Sequence, residues 1–127
     1  MRRSALIAAL VGLAVAAPAA GAGSGLRIRV VSSPTCPVER IPPDPMCAPR
    51  PFAASVRVRR AADDRTVARL HTGADGKSSL ILRPGRYSLV VRPESGARLP
   101  RCPAVVKATV RTGSYTRVTV SCDSGIR

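Results

Sequence analysis

The chain has 127 residues, a formal net charge of +14, four cysteines and only three aromatic side chains. This length suits one small domain, and so few aromatic rings disfavour a lectin or single-strand binder that stacks its ligand on them. The single histidine, His71, ends a predicted strand, where we expect it on the surface, and no Gly-x-Ser-x-Gly or Ser-x-x-Lys pattern occurs. We therefore expect no enzymatic activity, no cofactor and no metal site.

The N-terminal residues predict a secretory signal peptide. Two arginines precede an uncharged run of Ala, Leu and Val that is too short to span a bilayer. The small residues that follow favour cleavage after Ala22, with Ala19 or Ala20 as alternatives. We therefore expect a signal-peptide helix at 1–22 and a secreted, extracellular or periplasmic domain at 23–127. The mature chain then has no transmembrane segment and a net charge of +12.

Alternation of apolar and polar residues predicts seven β-strands in the rest of the chain. Their ranges are 26–31, 53–60, 66–71, 77–83, 86–92, 104–111 and 115–122. Turn signals separate them. Asp75-Gly76 predicts a hairpin, because glycine tolerates a positive φ, and Pro84-Gly85 predicts another tight turn. Thr112-Gly113-Ser114 predicts a hairpin between the last two strands. The pattern is typical of an all-β protein with a seven-stranded antiparallel β-sandwich.

The segment 32–51 interrupts this pattern with seven prolines and two of the cysteines, Cys36 and Cys47. Proline neither donates to a ladder nor continues a helix, so we expect a loop or extended chain here. In an oxidising compartment an even number of cysteines indicates disulfides. Residue parity places Cys102 and Cys122 on the core side of the last predicted hairpin, which favours pairing them, and Cys36 with Cys47. The alternative joins Cys36 to Cys102 and Cys47 to Cys122.

Two neighbouring motifs carry a family resemblance: Thr72-Gly-Ala-Asp-Gly-Lys77 and Leu82-Arg-Pro-Gly-Arg-Tyr-Ser-Leu89. The pair resembles the transthyretin-like, carboxypeptidase regulatory-like modules, whose Thr-x-x-Asp-Gly turn precedes a Leu-x-Pro-Gly-x-Tyr-x-Leu corner. The resemblance covers 56–91 and implies a prealbumin-like sandwich and a non-catalytic accessory or adhesive module of carbohydrate-binding-like fold. Lys77 and Ser78 replace the aromatic residue usual after Asp-Gly. The cysteine-framed loop suggests a secreted bacterial branch of the family.

The excess of arginine predicts attraction to anionic surfaces. Five basic residues have outward parity on strands that could share one face: Arg57, Arg59, Lys107, Arg111 and Arg117. Such a patch would bind an anionic cell-envelope polymer with steep salt dependence, and DNA only non-specifically. Carbohydrate and an extracellular protein are the other partners we consider, and we expect a monomer. A solvated sheet face with an arginine content set by GC-rich coding explains the same charges without a ligand.

The disulfide-closed loop supports a different hypothesis, a secreted protease inhibitor. Its tip contains Val38, Glu39, Arg40 and Ile41, and Arg40 would enter a trypsin-like specificity pocket. A loop held in its bound conformation loses less entropy on binding. The structural explanation is that the disulfide stabilises the connection between two strands, by about 3 kcal/mol in the chain-entropy model. We rank this stabilising role first and retain the inhibitor as the alternative function.

Overall fold

The computed structural model describes residues 23–127, and the predicted signal peptide at 1–22 lies outside the described residues. Eight strands form two packed sheets, which confirms the all-β sandwich. Their bounds are β1 Gly25–Ser33, β2 Arg50–Pro51, β3 Ala54–Arg60, β4 Thr66–His71, β5 Lys77–Ile81, β6 Gly85–Pro93, β7 Val106–Val110 and β8 Tyr115–Asp123. The additional strand, β2, is a two-residue segment inside the proline-rich loop, which also contains a short 3₁₀ turn at Pro45–Cys47.

The first sheet is built around β1. On one side β8 runs parallel to β1 along its whole length. On the other side β5 pairs antiparallel with the first half of β1, and β2 pairs antiparallel with Val31 and Ser32 near its end. The expectation of a purely antiparallel sandwich is therefore wrong for β1 and β8. Alternation within each strand does not reveal this pairing, because it specifies which side chains face the core and not the direction of a distant partner.

The second sheet has the order β4-β3-β6-β7, and all its pairs are antiparallel. Because β7 belongs to this sheet and β8 to the first, the predicted hairpin at Thr112-Gly113-Ser114 is wrong, and this turn carries the chain from one sheet to the other. The Asp75-Gly76 turn likewise joins β4 to β5 across the sandwich, so it is not a hairpin turn. Glycines 76 and 113 do have positive φ, 69° and 73°, but a turn of that conformation is compatible with either connection.

Gly76 also explains how the β4–β5 turn packs against the first sheet. Its carbonyl oxygen accepts a hydrogen bond of 2.8 Å from the amide of Val30. A Cβ atom at Gly76 would lie 2.3 Å from the Val30 carbonyl oxygen and 3.0 Å from the Cβ of Pro51. Only glycine combines this close approach with the positive φ. The turn therefore closes over β1 beside the last residue of the proline-rich loop.

The core lies between the sheets and contains the inward-facing residues that alternation predicts. The buried set includes Leu26, Ile28, Val30, Val56, Val58, Leu89, Val91, Val110, Val118 and Val120. Each fully buried Val or Leu side chain contributes about 1.5–3 kcal/mol relative to exposure. Tyr87, the tyrosine of the second motif, is also buried, and its hydroxyl donates a 2.6 Å hydrogen bond to the carbonyl of Arg83. The bond satisfies the polar end of a side chain that packs in the core.

Two disulfides are present, and they join the predicted pairs. Cys36 bonds to Cys47 with a Cα–Cα distance of 5.3 Å, and Cys102 bonds to Cys122 with a Cα–Cα distance of 4.1 Å. The second bond does not arise from a hairpin of β7 and β8. The residue before Cys102, Arg101, instead exchanges two backbone hydrogen bonds of 2.7 Å with Asp123, so the segment before β7 forms an antiparallel bridge with the last residue of β8.

Candidate binding surface

Two rows of exposed side chains cross the outer face of the first sheet. In β1, Leu26, Ile28 and Val30 point into the core, so the residues between them, Arg27 and Arg29, point outward. One row consists of Ser79, Arg27 and Arg117, and the next consists of Lys77, Arg29 and Thr119. Neighbours within a row are on strands about 4.8 Å apart, and the rows are about 7 Å apart along the strands. Each row therefore presents two cations and one hydroxyl group.

A cleft of about 430 Å³ lies over these rows, and no carboxylate lines it. Within residues 23–127 the ion pairs join Arg60 to Asp63 and Arg127 to Asp123, and Glu94 contacts His71, so no carboxylate pairs with a cation of the rows. The register also places like charges directly opposite each other, Arg27 opposite Arg117 and Arg29 opposite Lys77. Such pairs destabilise a sheet, and a bound anion would relieve the repulsion.

Tyr115 restricts the position of Arg27 at one end of the cleft. The Arg27 guanidinium lies 5.3 Å from the centroid of the Tyr115 ring, a cation–π contact. Two glycines leave room for this ring: a Cβ atom at Gly25 would lie 2.8 Å from Cε1 of Tyr115, and one at Gly23 would lie 3.3 Å from its Oη. Arg27 is therefore partly ordered before any ligand binds, which lowers the entropy cost of binding.

A second cleft, of about 590 Å³, lies at the side of the sandwich between β7 and β8. Lys107 and Arg111 line it together with Arg117, which also lines the first cleft. The hydroxyl of Thr116 donates a 2.7 Å hydrogen bond to the carbonyl of Thr109 and so links the two strands. We call the cations of both clefts the basic track: Arg27, Arg29, Lys77, Lys107, Arg111 and Arg117.

The track overlaps only partly with the basic patch expected from the sequence. The structure brings Lys107, Arg111 and Arg117 together at the second cleft. Arg57 and Arg59 lie half-buried on the outer face of the second sheet and line neither cleft of the track. The expectation that all five share one face is wrong for Arg117, because β8 belongs to the first sheet. Arg57, Arg59 and Lys107 do share the outer face of the second sheet, where Arg59 and Lys107 are both paired with Ser88.

Sequence reasoning missed the other three cations of the track. Arg27 and Arg29 alternate with apolar residues in the first predicted strand, and Lys77 begins the strand after the Asp-Gly turn. Their outward parity was visible in the sequence. Their meeting on one face depends on the pairing of β1 with β5 and β8, which local pattern does not specify.

The candidate residues of the proline-rich loop lie together and apart from the track. Val38 is 71% exposed and Ile41 is fully exposed, and both Glu39 and Arg40 are exposed as well. None of them lines either cleft of the track. The loop is ordered locally at its 3₁₀ turn, where the carboxylate of Asp44 accepts a 2.9 Å hydrogen bond from the amide of Met46.

Three other ionisable residues that could take part in catalysis or metal binding, His71, Asp75 and Asp123, contact nearby groups instead. Nδ1 of the exposed His71 lies 3.2 Å from Oε1 of Glu94. Asp75 accepts a hydrogen bond from the amide of Lys77, two residues on, as expected for a turn aspartate. Hydrogen bonds from the Gly125 amide and the Arg127 side chain lower the pKa of the Asp123 carboxyl. Among residues 23–127 no cluster of three or more His, Cys, Asp or Glu residues could hold a metal ion.

Comparison with known proteins supports the fold. No family model matches the sequence, and no curated protein matches it. Among solved structures, the chain is similar to GBS52, a minor pilin of Streptococcus agalactiae, with a TM-score of 0.53 and 17% sequence identity. The match covers 80% of this chain and 45% of the pilin chain, so this chain spans less than half of its neighbour. The likeness establishes a pilin-like β-sandwich. Separately, residues 23–127 include no helix with the length and apolar character needed to cross a membrane.

Proposed function

We propose that this chain is a secreted, non-catalytic β-sandwich module that binds an anionic polymer of the cell envelope through ionic contacts. The observation that carries the proposal is the pair of unneutralised rows on the first sheet. Arginines and a lysine oppose each other there without a carboxylate, although opposed like charges destabilise a sheet. An anionic ligand would offset this cost, because it converts the repulsion into charge-assisted hydrogen bonds.

Two observations support secretion. Both cysteine pairs are oxidised, and disulfides persist mainly in oxidising compartments. The sequence at 1–22 has the composition of a signal peptide cleaved near Ala22. The excess positive charge then faces the outer layers of the cell, where phosphate- or carboxylate-bearing polymers would attract it over about a Debye length of 8 Å.

We further propose that the module is a branch of the prealbumin-like, carboxypeptidase regulatory-like sandwiches. One residue from each of the two motifs, Thr72 and Tyr87, makes hydrogen bonds that stabilise the sandwich. The buried Thr72 hydroxyl accepts from the amide of Ala54 at 2.9 Å and donates to the carbonyl of Phe52 at 3.2 Å. Tyr87 fixes the following corner through its hydrogen bond to Arg83. A role as an accessory or adhesive module is consistent with this assignment.

Sedimentation with envelope material tests the ionic function. The mature chain is mixed with the producer's envelope before and after its phosphate-bearing polymers are hydrolysed, over a series of NaCl concentrations. We expect the chain to sediment with intact material at low salt, to be released as salt increases, and to remain in solution with the hydrolysed material. Retention that ignores salt, or that survives hydrolysis of the polymer, would contradict an ionic function.

A second candidate function, protease inhibition, is favoured by one observation: the Arg40–Ile41 segment projects from the disulfide-closed loop, and Ile41 is fully exposed. Incubation with trypsin tests it. An inhibitor would block the protease stoichiometrically, and Arg40→Ala would abolish the inhibition. Rapid cleavage after Arg40 without inhibition eliminates this function and leaves the polymer-binding proposal intact.

A further inference from the structure

We infer that the basic track binds a linear phosphodiester polymer, with successive phosphate groups occupying first one cleft and then the other. The inference rests on the proposed function and assigns its binding surface and ligand class. It differs from attraction by net charge alone, because it requires particular cations that extend from the outer face of the first sheet around the edge formed by β7 and β8.

The arrangement of the two clefts indicates an extended ligand. Arg117, Val118 and Thr119 line both clefts, so the clefts are continuous across β8. From Lys77 the path crosses β5, β1 and β8 and ends at Arg111 beside β7. A single phosphate ion would neutralise only one or two cations of the track. A flexible chain with a negative charge at every repeat can neutralise all six.

The chemistry of the lining residues suits phosphate. Four of the six cations are arginines, whose planar guanidinium groups donate two parallel hydrogen bonds to phosphate oxygens. The hydroxyls of Ser79 and Thr119, one in each row, add neutral donors. Among the residues that line the two clefts, only Tyr115 is aromatic, so base stacking contributes little, and a polymer without bases fits as well as one with them.

The outer face of the second sheet is less suited to the same ligand, although it is also basic. Arg57, Arg69 and Arg92 line a cleft of about 310 Å³ there, with Arg57 directly opposite Arg69, but this cleft shares no residue with the two clefts of the track. Glu94, which contacts His71, places a carboxylate at the edge of the same face. This cleft is therefore separate from the track, and a polyanion bound in it would lie near a carboxylate of like charge.

Two double variants with equal loss of charge test the assignment. R27T/R117T removes one opposed pair of the track, and R69T/R92T removes two exposed arginines from the second sheet. Threonine is favourable in strands, so both variants should fold, which circular dichroism and thermal unfolding would check. A third variant, R111T, alters the second cleft alone at a position outside the strands.

The measurement is the affinity for poly(glycerol phosphate) and for monomeric glycerol 3-phosphate over a series of NaCl concentrations. If all six cations contact phosphates, the slope of log K against log salt should be about −4 for the unaltered protein, by analogy with single-stranded nucleic acid. That slope corresponds to a roughly 300-fold loss of affinity between about 50 and 200 mM salt. R27T/R117T should change the slope to about −3, R111T should weaken polymer binding, and R69T/R92T should leave it near the unaltered value.

The possible failures are distinguishable. Equal losses in R27T/R117T and R69T/R92T would show that net charge governs binding, which overturns the track and leaves the proposed function standing. Monomer affinity equal to polymer affinity, or no effect of R111T, overturns the linear ligand. Binding to anionic lipid vesicles without binding to the polymer also overturns it. Failure of the unaltered protein to bind any anionic polymer overturns the inference and the proposed function together.

Discussion

Removal of each disulfide in turn separates the bond that supports the core from the bond that closes an exposed loop. Cys36 and Cys47 are 11 residues apart, and Cys102 and Cys122 are 20 apart. The chain-entropy model gives about 2.8 and about 3.3 kcal/mol for these two loops. Loop length alone therefore predicts nearly equal losses when each pair is replaced by alanine.

The surroundings of the two bonds change this expectation. Cys122 is 1% exposed and packs in the core, so C102A/C122A also removes a buried sulfur, which adds about 1 kcal/mol. We expect a total loss of about 4 kcal/mol. The Cys36–Cys47 loop instead projects into solvent, and cutting its bond frees the loop in the folded protein as well as in the unfolded chain. We expect C36A/C47A to cost less than about 2.8 kcal/mol.

Guanidinium unfolding of both variants beside the unaltered protein, with the free energies extrapolated to water, measures the two losses. Because a domain of this size typically has about 5–15 kcal/mol of stability, both variants should remain folded at 25 °C. An equal or larger loss in C36A/C47A would refute the view that the loop is peripheral to the fold. It would mean that the proline-rich segment supports the sandwich despite the exposure of its tip.

Three further changes test local features. Gly76→Ala should destabilise the fold by more than about 2 kcal/mol, because it combines a positive φ with a backbone clash. The control Gly96→Ala, with a similar φ of 71° and no atom within 4 Å, should cost about 1 kcal/mol in the same unfolding assay. Equal costs would contradict the packing argument. Tyr87→Phe should lose about 1 kcal/mol with the hydrogen bond to Arg83, and unchanged stability would show that the bond contributes nothing. The pKa of the Asp123 carboxyl in the folded protein is lower than its ordinary value. The ionised carboxylate should therefore stabilise the fold above about pH 4, and this stabilisation should disappear as the pH falls through the folded pKa. A pKa measured by NMR titration at or above the ordinary value would contradict this.

Local pattern predicted the strands and their buried faces well. In β3, for example, Val56 and Val58 are buried while Arg57 and Arg59 face outward, as alternation requires. Burial depends on the two-residue period of a strand, and that period is present in the sequence itself. The positions of the strands therefore differ from the predicted ranges by only a few residues at each end.

The connections between strands were predicted less well, and this affected the candidate site. The Asp75-Gly76 turn has the expected conformation, but the same two residues can join neighbours in one sheet or strands in opposite sheets. The choice depends on packing over the whole domain. Without it, the sequence could not place Arg27 beside Arg117 or separate Arg57 from Arg117. The Cys102–Cys122 pair was predicted correctly, although the Arg101–Asp123 bridge and not a hairpin of β7 and β8 brings the two cysteines together.

The parallel pairing of β1 with β8 has a consequence for how the protein reaches its folded state. Leu26 pairs with Thr116, about ninety residues later in the chain, so the central strand cannot complete its ladder until the last strand is available. Contacts of such long sequence separation slow folding. If the chain is exported unfolded and N-terminus first, the edge of β1 that pairs with β8 would stay unpaired until the C-terminal strand has been exported. The repulsion of its arginines would keep that edge from pairing with other copies during this interval, so the same charges that suit a polyanion would also protect the protein during its export.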